Sequence, residues 1–158
     1  MNRNNCYCVI LAGGLGTRFW PISKAAMPKQ FLDVADTGET FIRKTYDRFK
    51  KIVPQENILV VTAARYQDLI KEQLPELEER NLLLEPYSRN TAPCIAYATY
   101  TLLKRDPDAK VVVSPSDHII DHGDIFTRTI REAFEYVEEK DVLMTLGIDP
   151  TRPDTNYG

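Results

Sequence analysis

The chain has 158 residues, the length of one ordinary domain. It is 43% hydrophobic, 9% aromatic and 27% charged, a composition that buries a core and excludes intrinsic disorder. With 20 Lys+Arg against 23 Asp+Glu the formal net charge is −3, which argues against general nucleic-acid or acidic-membrane binding. No apolar run has the length of a membrane span. The first residues lack the apolar stretch and small-residue cleavage site of a secretory signal, so a cytoplasmic location is expected. The 3 cysteines make no disulfide framework and fit a reducing compartment.

The predicted elements alternate. Residues 7–11 (YCVIL) are a short apolar, β-branched run ending in glycines, which predicts a buried strand. Residues 40–51 place Ile42, Tyr46 and Phe49, then Val53, at helical spacing, with Thr40 as cap and Pro54 as stop. Residues 57–62 (NILVVT) predict a second strand. Residues 64–74 predict a helix with Tyr66, Leu69, Ile70 and Leu74 on one face, ended by Pro75. Residues 82–84 predict a short third strand. Residues 90–105 predict a helix with Ile95, Ala98 and Leu102 inward, capped by Asn90 or Thr91 and with Pro93 in its first turn. Residues 110–114 (KVVVS) predict a fourth strand. Residues 124–140 predict the longest helix, with Phe126, Ile130, Ala133, Phe134 and Val137 as its apolar stripe. Residues 142–148 (VLMTLGI) predict a fifth strand.

Strand–helix alternation implies right-handed crossovers and an α/β fold: a Rossmann-like, mostly parallel sheet with helices on both faces. Ligands of such sheets bind beyond the carboxyl ends of the strands, so the residues that follow each strand carry the functional information. After the first strand comes Ala12-Gly13-Gly14-Leu15-Gly16-Thr17-Arg18. Glycines so close together let a backbone turn tightly and aim its N–H groups at an anion. The two commonest phosphate motifs are excluded. A Walker loop needs a second glycine followed by Lys-Ser/Thr, which neither Gly13 nor Gly14 has, and a dinucleotide fingerprint begun at Gly14 would have Phe19 at its third glycine position. A nicotinamide dehydrogenase is therefore disfavoured.

Segment 11–23 (LAGGLGTRFWPIS), followed by Met27-Pro28-Lys29-Gln30-Phe31-Leu32, resembles the signature of the sugar-nucleotide pyrophosphorylases. Trp20-Pro21 and the Pro28-Lys29-Gln30-Phe31 form resemble their mannose-1-phosphate guanylyltransferase branch, as do segments 85–93 (EPYSRNTAP), 114–118 (SPSDH) and 147–153 (GIDPTRP). The resemblance spans residues 11–158. It implies a nucleotide-diphospho-sugar transferase type of sheet, with the chain as the nucleotide-binding first part of a larger catalytic domain, followed in some relatives by an isomerase domain. A parallel sheet cut there would leave an unpaired edge through which copies could associate as a homo-oligomer.

The reaction that the resemblance implies joins mannose 1-phosphate to GTP. A sugar-phosphate oxygen attacks the α-phosphorus in line and pyrophosphate leaves, so positioning and charge neutralisation carry the transfer. A related transferase for another hexose 1-phosphate, or a module that binds GTP or GDP-sugar without turnover, is the alternative.

By the same resemblance Leu11, Ala12, Gly13, Gly14, Gly16, Thr17 and Arg18 surround the nucleotide, Arg18 on its β- and γ-phosphates by paired hydrogen bonds. Lys29 reaches the α-phosphate or the incoming sugar phosphate. Asp117 is the candidate ligand of a Mg2+ ion, which takes one or two carboxylates plus phosphates and water. Glu85 can accept from both N1–H and the 2-amino group of guanine, whereas uracil and thymine suit an amide better. Relatives that use thymidine nucleotides carry glutamine at the corresponding strand end, so glutamate favours guanine. Asn90 and Thr91 assist base or ribose binding, or simply cap the next helix. His118 is read as a structural neighbour of Asp117. Asp121, His122 and Asp124 are read as the start of a helix, where acidic residues are favoured. Cys6 and Cys8 share one strand face, and no further Cys or His pair supplies zinc-ligand spacing, so with Cys94 they are read as buried free thiols.

Overall fold

Strand β1 (Cys6–Leu11) has Cys6, Cys8, Val9 and Ile10 withdrawn from solvent on both of its faces, which places it inside the sheet. The structure, a computed structural model, describes residues 4–14, 16, 19–34, 36–87, 90–148 and 152. Strands β2 (Ile58–Ala63), β3 (Leu82–Glu85) and β4 (Lys110–Pro115) join β1 in a four-stranded, wholly parallel sheet of order β3-β2-β1-β4. Ile10 sits between Val60 of β2 and Ser114 of β4.

Four helices cover it. Helices α1 (Phe41–Lys50), α2 (Gln67–Gln73) and α4 (Gly123–Glu139) lie on one face, where Ile42, Tyr46, Phe49, Ile70, Ile130 and Phe134 pack on Cys6, Cys8, Ile10 and Val60. Helix α3 (Thr91–Arg105) alone covers the other, with Cys94, Ala98 and Leu102 against Val9, Leu59, Val61 and Leu83. Handedness explains this division. The chain steps outward from β1 to β2 to β3 by crossovers on one face, then returns past β1 to β4, and a right-handed return must run over the opposite face. The fold is therefore Rossmann-like α/β.

Local signals account for most boundaries. The Thr40 hydroxyl accepts the backbone N–H of Arg43 at 3.4 Å and caps α1. A single 3-10 turn, Ala64–Tyr66, precedes α2 in the segment predicted as one helix. On α3 Ala98 and Leu102 face inward as expected, but at the first turn Cys94 enters the core while Ile95 is only half-buried: the buried face runs through every fourth residue, 94, 98 and 102. All three thiols are buried and outside any disulfide, and burial pushes the Cys8 thiol far up.

One predicted element does not form. Residues 142–148 make no strand, and Leu143 and Ile148 are 103% and 85% exposed. Their β-branched and apolar composition suits a strand, but a strand exists only through its ladder, and among the described residues this run pairs with neither edge strand, β3 nor β4. No described helix is long and apolar enough to cross a membrane.

An ion cluster ties α1 to the segment after α2. The Arg43 guanidinium donates to both carboxylate oxygens of Asp47, at 2.6 and 2.5 Å, and of Glu76, at 3.0 and 2.6 Å. These bonds hold the Asp47 and Glu76 carboxyls below their ordinary range. Stability from depressed carboxyls is complete above their unfolded values and is lost as pH falls through the folded ones. Arg43→Gln should therefore lower the urea midpoint at neutral pH. The gap between variant and wild type should close as pH falls from about 5 to about 3; a gap that stays constant would show that the cluster is not the source.

Candidate active site

Because the strands are parallel, every strand exit lies at one end of the sheet. The strand order reverses between β1 and β4, and the crevice beyond that switch point is where open α/β sheets bind ligands. The glycine loop leaves β1 there, Ser116 and Asp117 leave β4, and Glu85 is the last residue of β3.

The glycine loop is held from below. Gln30, in the 3-10 turn Lys29–Phe31, is 3% exposed and donates from Nε2 to the carbonyls of Ala12 at 2.9 Å and Gly14 at 3.0 Å. The Thr62 hydroxyl donates to the same Ala12 carbonyl at 2.9 Å. Gly16 adopts φ +62°, and a Cβ on it would lie 2.5 Å from Ser23 Oγ and 3.0 Å from the Lys29 backbone nitrogen, so glycine is required for both conformation and space. Thr17 and Arg18 lie outside the described residues.

Lys29 turns its ammonium the other way, into the crevice. Nζ stands 3.4 Å from Asp117 Oδ2 and lies over the rings of Phe19 and Phe41, at 4.3 and 5.0 Å from their centroids. Residues far apart in the sequence, one from each side of the switch point, thus form one ion pair. Two aromatic faces restrict the lysine while its charge stays available. The Asp117 turn is braced from α1: buried Thr45 donates its hydroxyl to the Ser116 carbonyl at 3.1 Å, and Arg48 Nη2 donates to the His118 carbonyl at 3.3 Å.

Glu85 is a buried carboxylate, 6% exposed, at the exit of β3. Its Oε2 lies 3.0 Å from the position a Cβ would take on Gly13, so it packs directly on the glycine loop. The Cys94 thiol is pushed up to about 12, by burial first and then by the neighbouring Glu85 carboxylate, and stays protonated. Asn90 occupies the N-cap position of α3 with φ 67° and ψ −173°, a backbone region costly for any residue but glycine, and its side chain makes no cap hydrogen bond. Thr91 opens the helix and is exposed. Asp124 lies in the first turn of α4. Among the described residues no three His, Cys, Asp or Glu side chains gather as a metal cage.

Gln30, Thr45 and Ser116 belong to this arrangement and were not singled out by the sequence. The signal for Thr45 was present, since it interrupts the apolar face Ile42, Tyr46, Phe49 with a hydroxyl that must find a buried acceptor.

These features define the class: a Rossmann-like α/β domain whose polar side chains converge on the switch point of its sheet. The family model described as nucleotidyl transferase matches residues 7–158, and the chain belongs to that family. It is 38% identical over 152 residues to a mannose-1-phosphate guanylyltransferase of Salmonella montevideo, covering 95% of this chain and 31% of the relative. It is 37% identical over 163 residues to a mannose-1-phosphate guanylyltransferase of Escherichia coli K12, covering 100% of this chain and 33% of the relative. The chain therefore spans about a third of the length of these curated relatives. A crystal structure described as a mannose-1-phosphate geranyltransferase from Thermus thermophilus superposes with a TM-score of 0.75 at 29% identity, over 85% of this chain and 39% of that one.

Gly16→Ala tests how tightly the loop is built. It should lower the denaturation midpoint, by about 1–2 kcal/mol from the left-handed φ alone and by more from the contact with Ser23 and Lys29. An unchanged midpoint would mean that the loop relaxes freely.

Proposed function

We propose that this chain is the nucleotide-binding part of an enzyme that makes GDP-mannose and pyrophosphate from GTP and mannose 1-phosphate. The observation that carries the reading is the Lys29–Asp117 pair, 3.4 Å apart at the switch point and beside a glycine loop. A phosphoryl-transfer site needs a cation for the phosphates and a carboxylate for a divalent ion in one place. Family membership and the names of the relatives agree with it.

In this reading a phosphate oxygen of mannose 1-phosphate attacks the α-phosphorus of GTP in line. The new P–O bond forms as the bond to the β-phosphate oxygen breaks, and pyrophosphate departs with that electron pair. The Gly13–Gly14–Gly16 loop gives backbone donors to the triphosphate, followed by Thr17, while Leu11 and Ala12 line the nucleotide at the strand exit, the Ala12 N–H being committed to the Val61 carbonyl. Arg18 takes the β- and γ-phosphates, where charge accumulates on the leaving group. Lys29 neutralises the α-phosphate or guides the incoming sugar phosphate. Asp117 has the donor chemistry for magnesium: a single carboxylate, its side chain 39% exposed, on a braced turn. When bound, the ion would neutralise phosphate charge and help align the triphosphate. Lys29 neutralises Asp117, a balance of charge that Asp117 would otherwise find in a bound cation and Lys29 in the phosphates. Glu85 accepts from the guanine edge, and Asn90 and Thr91, at the adjacent helix start, contact base or ribose.

Pyrophosphate release from GTP, mannose 1-phosphate and magnesium tests the reading, with the 158-residue chain and a chain extended past Gly158 run side by side. Release by the extended chain, dependent on both substrates, is expected; release by neither would overturn the reading. Glu85→Gln should weaken the use of GTP selectively, raising its KM relative to UTP or dTTP by about tenfold or more. An unchanged nucleotide preference would remove Glu85 from base recognition.

A further inference from the structure

Gln30 stands beside the proposed phosphate lysine, yet it points away from the crevice and is almost wholly buried. Its carboxamide nitrogen carries two N–H groups, and two carbonyls, those of Ala12 and Gly14, receive one each. Both partners are acceptors, so only the NH2 end of the amide fits. The two carbonyls bracket Gly13, a residue with little steric preference of its own.

A trans peptide turns its N–H opposite to its C=O. Drawing the Ala12 carbonyl down onto Gln30 therefore turns the Gly13 N–H away from Gln30, and the Gly14 carbonyl is drawn down onto the same carboxamide. The Ala12 carbonyl has a second donor in Thr62, whereas Gln30 is the donor found for the Gly14 carbonyl. On the same turn the Lys29 backbone nitrogen and Cβ lie close against Gly16, at 3.0 and 3.1 Å from where its Cβ would be. One short 3-10 turn thus grips the loop at both ends and sends the ammonium of Lys29 to the opposite side.

We propose that Gln30 is a positioning residue of the nucleotide site: its buried carboxamide fixes the peptide planes of the glycine loop so that their N–H groups face the triphosphate. The role rests on the nucleotide reading above. Gln30 contributes no contact of its own to the ligand. It removes the entropy that a run of glycines would otherwise lose on binding, and so supplies affinity through preorganisation.

The test is calorimetric binding to the protein, as the 158-residue chain and as a chain extended past Gly158, with GTP–magnesium and with guanosine as ligands. Gln30→Met keeps the bulk and removes both donors. It should weaken GTP by about tenfold or more while leaving guanosine within about twofold, because only the phosphate donors are disordered. Gln30→Glu supplies a pH signature. As a carboxylate it repels both carbonyls; once protonated it can donate to one of them. Its GTP affinity relative to wild type should therefore recover as pH is lowered from about 8 to about 6, whereas the deficit of Gln30→Met should not change with pH.

Equal loss of GTP and guanosine in Gln30→Met would mean general structural damage and overturn the positioning role, as would full GTP affinity in that variant. If Gln30→Met does not fold, the pH dependence of Gln30→Glu decides, and a flat ratio overturns the proposal. A wild-type protein that binds no GTP would instead overturn the nucleotide reading itself and the role of Gln30 with it.

Discussion

A right-handed crossover can return a parallel sheet past its first strand only over the opposite face. In this chain that constraint decides the rest. It sets α1 and α2 on one side and α3 on the other, with α4 packing beside α1, and it makes β1 the strand on either side of which the chain runs in opposite directions. At the carboxyl end of β1 the two directions open a crevice, because no crossover helix can cover both sides of the reversal. The glycine loop enters that crevice because it is the segment leaving β1. Asp117 enters it because β4 is the strand added on the return. The polar chemistry of the domain follows from the order of its strands.

The same end of the sheet shows how a flexible sequence is made into a fixed loop. Gly13, Gly14 and Gly16 would cost conformational entropy to order if they were left to themselves. The carbonyls of Ala12 and Gly14 are instead occupied from below, both by the buried carboxamide of Gln30 and that of Ala12 also by Thr62, and the space beside Gly16 is filled by Ser23 and the backbone of Lys29. The turn that carries Lys29 is thereby coupled to the loop above it. Aromatic faces of Phe19 and Phe41 hold the ammonium, so the cation and the backbone donors form one rigid unit. Asp117 receives comparable support from Thr45 on α1, which links the packing of the largest apolar face to the geometry of the β4 exit.

Periodicity made the fold legible wherever a segment buries one face or both. Strands β1 to β4 and helices α1, α3 and α4 lie within a residue or two of their predicted limits because apolar spacing, the Thr40 cap and the prolines are local signals. The run 142–148 failed for a non-local reason: its composition is that of a strand, but a strand needs a ladder partner, and among the described residues the run pairs with neither edge strand, β3 nor β4. Cys94 took the place expected of Ile95 for a related reason, since positions three and four residues before Ala98 border the same helix face and the sheet decides which of them is covered. In the site, Lys29, Glu85 and Asp117 were recognisable from their motifs. Gln30 was not, because a glutamine beside a lysine carries no sign of being buried.

The sequence by itself determined which residue types stand at each strand exit: glycines after β1, a glutamate at the end of β3 and an aspartate after β4. It also determined the alternation that makes all those exits share one end of a sheet, since parallel strands and right-handed crossovers leave no other arrangement. Tertiary structure alone decided the pairings. That Lys29 meets Asp117, that Glu85 packs on Gly13 and that Gln30 closes beneath Ala12 and Gly14 are contacts between segments remote along the chain or turned by a 3-10 bend. Local propensity carries no information about such contacts. They are fixed only when the sheet brings the segments together and excludes water from between them.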